Sequence, residues 1–252
     1  MFTHEQIQKL IFIDIETVSG LAEFPALEPE MQFFWEKKAR QYYKAENDEN
    51  FDVNRSYSEK AGLFSEFNRV VCVAFGYIQF QGGQAQAKIK SIYGRDEKAI
   101  LSETCELLKR DKLARYRLCG HNIKEFDCPT LARRMLINGI FPLPPSLNNY
   151  GKKPWDVTHI DTMELWRFGD FKSYTSLALL CHLFGIPSPK TEVDGSQVTN
   201  LYWQKNDLQA IAKYCQKDLQ ATMNLVLRFA NMELLREESI SIEELEPKLE
   251  PI

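Results

Sequence analysis

The sequence predicts an α/β fold, a mixed β-sheet flanked by α-helices. Three observations lead there. Apolar runs of strand length open the chain and recur through its first half. Two of them meet across Gly82-Gly83, the kind of pair that a tight hairpin turn favours. Beyond about residue 95, helical patterns alternate with short strand-like runs, an order that sets helices on the faces of a sheet with both parallel and antiparallel pairs. At 252 residues the chain can bury one large core, and no repeat, low-complexity block or composition break divides it. Residues 1–235 are read as one domain, with 27–60 as a helical and loop insertion and 236–252 as an acidic tail.

The first strand covers about residues 10–17 of "LIFIDIETVSG". "EPEMQFFWEKKARQYYKAEND" reads as a helix of about twenty residues with exposed-type aromatics and basics, running into the polar loop "AENDENFDVNRS". "RVVCVAFGYIQF" and "AQAKIKSIYG" are the hairpin strands. A helical pattern spans 96–109, and "YRLCGHN" gives another strand. "EFDCPTLARRMLING" reads as a turn and a helix with Gly139 near its end, followed by the loop "IFPLPPSLNNYGKKPW". In "HIDTMELW", Asp161 stands as an N-cap with Glu164 at capping-box spacing. "TSLALLCHLFGIP" is an amphipathic helix stopped by Gly185 and Pro187, and the longest helix runs from about Asn206 to 234.

Composition narrows the function classes. The chain is 44% hydrophobic and 26% charged with 12 Gly and 11 Pro, which excludes disordered, collagen-like and disulfide-scaffold classes. Six cysteines show no C-x-x-C spacing and sit in apolar company, as small buried hydrophobes in a reducing compartment do. No basic leader and no membrane-length apolar run is present, so the expected address is cytoplasmic. A net charge of −4 argues mildly against a tight duplex binder, although carboxylates loaded with metal are locally neutral or cationic.

The first strand poses a chemical question. Strand alternation puts Asp14 and Glu16 on one face with Phe12, where two like charges repel and resist desolvation. Either that face is wet or a divalent metal demands both oxygens. On the last helix, Leu208, Ile211, Cys215, Leu219, Thr222 and Val226 form the inward stripe. Asp218 points nearly the same way, with Tyr214 one turn before it. In "HNIKEFDCPTL", Asp127 either caps the following helix, as Pro129 in its first turn suggests, or serves a site.

Together these three pieces resemble the DEDD superfamily of 3′→5′ exonucleases, which share a ribonuclease H-like fold. That family carries hydrophobic-D-x-E-T/S, then N-x-x-x-F/Y-D, then Y-x-x-x-D or H-x-x-x-x-D. This chain reads "FIDIET", "HNIKEFDCPTL" and "YCQKD" in that order, with Lys213 excluding the histidine version. It is similar to the bacterial group of polymerase-B-like 3′-5′ exonucleases over about residues 10–230, including the stretch "GIPSPKTEVDGSQV".

The resemblance implies catalytic residues Asp14, Glu16, Asp127, Tyr214 and Asp218. The four acids would hold two divalent ions, Mg²⁺ or Mn²⁺, which prefer oxygen ligands. Tyr214, with an ordinary pKa of about 10, would orient the water rather than take its proton. Asn122, Phe126 and Thr17 would contact the substrate, the 3′ end of single-stranded nucleic acid, DNA in preference to RNA, with no membrane partner. Core packing accounts equally for Phe126. Lys37, Lys38, Arg40, Arg133, Arg134, Lys152 and Lys153 are candidate groove cations or simply a solvated face. An exoribonuclease of the same branch, or a non-catalytic nucleic-acid-binding module, is the alternative.

Overall fold

The computed structural model describes residues 2–110, 116–170, 172, 174–187, 198–243 and 246–249. Residues 188–197, most of the "GIPSPKTEVDGSQV" stretch, and five residues of the expected acidic tail (244, 245 and 250–252) lie outside the described residues. Six strands form one mixed sheet among the described residues: β1 (Leu10–Ser19), β2 (Asn68–Gln81), β3 (Gln84–Tyr93), β4 (Arg117–Gly120), β5 (Ile160–Asp161) and β6 (Ile240–Glu243). Their order is β5-β4-β1-β2-β3-β6. β1 is antiparallel to β2 and β2 to β3, while β4, β5 and β6 add parallel. Gly82 and Gly83 both take positive φ, 58° and 83°, as the two-residue hairpin turn requires.

The helices are α1 (His4–Ile7), α2 (Pro29–Tyr43), α3 (Val53–Lys60), α4 (Glu97–Lys109), α5 (Asp127–Ile137), α6 (Thr162–Arg167), α7 (Leu177–Phe184), α8 (Val198–Asn200) and α9 (Leu208–Phe229). Alternation along β1 divides the core. Leu10, Phe12 and Val18 face α9 and its Cys215, Leu219 and Met223. Ile11, Ile13 and Ile15 face α4 and α5 through Leu101, Cys105, Leu131 and Met135. Among the described residues no helix is long and apolar enough to cross a membrane.

Several expectations are revised. Residues 53–60 form α3 rather than loop: Asp52 Oδ1 accepts the Arg55 N–H at 2.9 Å and caps the helix. Tyr57 then joins Trp35, Ala39 and Phe67 in a small core of its own, and Trp35 Nε1 donates to Ser56 Oγ at 3.1 Å. α2 stops at Tyr43 because Lys44 turns left-handed, and α9 stops at Phe229, shortly before a left-handed Asn231. β1 runs two residues further than expected, and β4 is shorter, ending at Gly120. Asp161 does cap α6, but Glu164 pairs with Lys124 at 2.7 Å instead of completing a capping box. The segment read as an acidic tail supplies β6, and Lys248 is fastened back to the sheet: its N–H donates to Tyr93 O at 2.7 Å.

One feature of the topology prepares the site. β4 pairs with β1 only along Leu10–Phe12. Past Phe12, the β1 edge on that side faces the start of α5 instead of a strand.

Candidate active site

Asp14 and Glu16 emerge on the α9 face of β1, as period-two alternation requires. Their carboxylate oxygens and the Cys215 sulfur lie within 4.8 Å of one another. The Cys215 thiol donates to Asp14 Oδ2 at 3.2 Å. Asp218, on the same side of α9, accepts a hydrogen bond from the Tyr214 hydroxyl one turn earlier.

Asp127 reaches the cluster from the other side of the strand. It is not the N-cap of α5; Phe126 holds that position and Asp127 is the first helical residue. Its Oδ1 accepts the Ile15 N–H at 3.1 Å, a main-chain donor left available because β4 has already ended. The cap reading of Asp127 is therefore replaced by a long-range contact that ties α5 to β1.

Asp14 and Glu16 are the two acids within 4.8 Å of one another, and Asp127 and Asp218 stand close enough to repel both. Burial, then the charges of Asp218 and Asp127, push Asp14 well above the usual carboxylate range. Burial, then Asp14 and Asp218, do the same to Glu16, which also feels Asp127. Asp127 is pushed up to about 8 by burial, with Asp161 and Asp218 adding repulsion and the Ile15 N–H opposing it. Every pairing among the four acids is thus repulsive. Burial and the Asp218 and Glu16 charges raise Tyr214, so its phenol stays protonated at neutral pH. Burial and the neighbouring Cys72 raise the Cys215 thiol likewise.

Glu16 is only 9% exposed, and among the described residues its carboxylate accepts no hydrogen bond. A buried carboxylate without proton, donor or counter-charge is strongly unfavourable. Such a group beside three further acids fits a cation, and an all-oxygen carboxylate set fits hard ions such as Mg²⁺ or Mn²⁺.

The remaining candidates divide. Asn122 sits at φ 65° before the α5 turn, and its side-chain Oδ1 is buried with no hydrogen-bond partner. Phe126 is half-buried against the core under β1. Thr17 is not brought to the acids' side: it shares the Ile15 face, and its hydroxyl donates to Gly62 O at 2.7 Å. Among the groove cations, Lys38 pairs with Glu66 and Arg40 with Glu36, while Arg134 is clasped by the buried Glu97.

Two residues escaped the sequence reading as parts of the site. Cys215 was read as stripe only, although its spacing from Asp218 on the inward face signals proximity. Asp161 was read as a cap only, yet its Oδ1 accepts the N–H groups of Asn122 at 2.9 Å and Met163 at 3.0 Å. Its Oδ2 accepts that of Lys124 at 3.1 Å. It holds the turn that leads into Asp127, a contact across the chain that no local pattern announces.

Residues 63–246 match a family model described as "Predicted 3'-5' exonuclease related to the exonuclease domain of PolB". The chain belongs to this exonuclease family. The matched segment holds Asp127, Tyr214 and Asp218 but starts after β1, so Asp14 and Glu16 enter the cluster through the fold rather than through the match. No curated protein matches significantly. Among solved structures, the family B DNA polymerase of the hyperthermophilic archaeon Pyrobaculum calidifontis superposes with a TM-score of 0.51 at 14% identity. The alignment covers 88% of this chain and only 24% of the polymerase. At that identity the likeness establishes the fold, a ribonuclease H-like sheet similar to a PolB exonuclease domain.

Proposed function

We propose that this PolB-like exonuclease-family chain removes nucleoside monophosphates from the 3′ end of single-stranded DNA, with Mg²⁺ or Mn²⁺ held by Asp14, Glu16, Asp127 and Asp218. The observation that supports the reading is the Asp14–Glu16 pair, whose oxygens lie within 4.8 Å of each other and are repelled by Asp127 and Asp218 as well. Divalent ions in such a cage neutralise phosphate charge and make water nucleophilic at neutral pH.

The chain's own groups do the rest. Asp127 commits Oδ1 to the Ile15 N–H, which leaves Oδ2 as the oxygen for a metal. The Tyr214 phenol, kept protonated and bonded to Asp218, orients the attacking water but cannot serve as its base. The Cys215 thiol fixes the rotamer of Asp14 by bonding Oδ2. Asn122 offers its unpartnered Oδ1 to the terminal nucleotide, and Phe126 packs beside it. Thr17 has no side-chain part in this scheme.

The test is a degradation ladder on end-labelled single- and double-stranded DNA and RNA, with Mn²⁺ and with EDTA. Single-stranded DNA is expected to shorten from its 3′ end only with metal, and Asp14→Ala to abolish the shortening. Full activity in EDTA or in Asp14→Ala overturns the assignment. Faster loss of RNA than of matched DNA assigns the same chemistry to an exoribonuclease.

A further inference from the structure

Two aromatic residues stand in water on segments tied to the turn that precedes Asp127. Phe168, which ends α6, takes φ 45° and ψ 35°. A bulky L-residue enters that left-handed region at a cost of about 1–2 kcal/mol. Core packing does not offset the strain, because Phe168 is 92% exposed. Tyr174 is 67% exposed. A left-handed residue commonly closes a helix, as Lys44 does after α2; what Phe168 adds is a large ring left in water.

The residues next to both rings contact the stretch from His121 to Glu125. Arg167 Nη1, next to Phe168, donates to Glu125 Oε1 at 3.2 Å. Thr175 O, next to Tyr174, bonds His121 Nε2 at 3.1 Å, and the other ring nitrogen of His121 bonds Thr162 Oγ1 at 2.9 Å. His121 is mostly buried, and burial lowers its pKa, so these contacts are made by a neutral imidazole that tethers rather than attracts phosphate. The rings are thus anchored one residue away from contacts with the same turn that delivers Asn122 and Asp127 to the cluster.

We propose that Phe168 and Tyr174 form a stacking platform for the bases of a single-stranded nucleic acid whose 3′ end lies among the four acids. The proposal rests on the nuclease reading above and names how its substrate is held. Stacking on exposed rings is sequence-tolerant because every base has a π-face, and it favours single strands, whose bases are free to leave their own stack. It supplies grip that a chain of net charge −4 does not obtain from a basic surface.

Fluorescence anisotropy of a labelled oligothymidylate, with Ca²⁺ in place of Mn²⁺, tests it on the full chain. Phe168→Ala and Tyr174→Ala are each expected to weaken binding at least about fivefold, the lower end of base–aromatic stacking. Phe168→Trp should recover the affinity, and the melting temperature of Phe168→Ala should not fall, since the ring packs on nothing. Binding of both alanine variants within about twofold of wild type, while wild type still degrades the strand with Mn²⁺, overturns the platform and leaves the nuclease standing. A loss that Phe168→Trp does not recover also overturns it. Ring-dependent binding without any degradation keeps the platform and removes the nuclease, and a wild type that binds no single strand removes both.

Discussion

Asp161→Ala isolates the contribution of a residue that holds the turn before Asp127 through main-chain donors. Three N–H groups lose their acceptor in this variant: Asn122, Lys124 and Met163. The Met163 donor is buried at the start of α6, where loss of a cap costs about 1 kcal/mol. The other two are part-buried and recover some water, so about 0.5–1.5 kcal/mol each is expected. The three losses sum to about 2–4 kcal/mol, an upper figure because relief of the Asp161–Asp127 repulsion works the other way. For a chain of this size that is a drop in melting temperature of about 5–15 °C. Asp161→Asn keeps Oδ1 for Asn122 and Met163 and faces Lys124 with a donor, so it should lose less. Differential scanning calorimetry in EDTA gives the stability term. The gain in melting temperature on adding Mn²⁺ gives the site term, which should shrink because Asp127 is no longer held in place. An Asp161→Ala protein that melts within about 2 °C of wild type, with an undiminished Mn²⁺ gain, refutes the reasoning.

Three further outcomes are expected. Without metal, stability should fall as pH rises from about 4 to about 8: Asp127 binds its proton more tightly folded (about 8) than unfolded (3.8), so protonation favours the fold. The slope from this group reaches about 1.4 kcal/mol per pH unit; urea titrations at several pH values measure it, and a flat profile in EDTA contradicts the acid cluster. Tyr214→Phe should leave melting and Mn²⁺ uptake intact while slowing single-turnover cleavage about tenfold or more, the worth of one hydrogen bond in a charged site; unchanged cleavage removes Tyr214 from the reaction. Gly120→Ala would set a Cβ at 2.0 Å from Ile123 Cγ2 and 2.7 Å from Ile13 O, so about 1–3 kcal/mol of overpacking is expected; thermal melts within error of wild type would show that the turn gives way easily.

Much of this was legible in the sequence where one element decides the matter alone. Alternation placed Asp14 and Glu16 together, the Gly82-Gly83 pair gave the hairpin, and helical spacing put Tyr214 beside Asp218. What stayed hidden depends on partners distant in the chain. α3 has only Val53 and Tyr57 as apolar residues, too few for a periodic signal, and it forms because Trp35 and Phe67 wait to cover Tyr57. β6 reads as an acidic stretch until β3 offers it an edge. The choice between cap and site for Asp127 turned on β4 ending two residues after the partner of Ile11, which no local pattern encodes. Thr17 stands one step along the strand from Glu16, which turns its hydroxyl to the opposite face and onto Gly62 O.

The unequal anchoring of the acids bears on how activity can be lost without losing the protein. Asp127 stitches α5 to β1, so a chain that abandons catalysis still has reason to keep an oxygen acceptor there. Among the described residues the Glu16 carboxylate accepts no hydrogen bond and adds repulsion, so its replacement by glutamine costs the scaffold little. A silent relative would therefore betray itself at the position of Glu16 before that of Asp127. Screening for working enzymes by the acid on the helix alone would admit impostors.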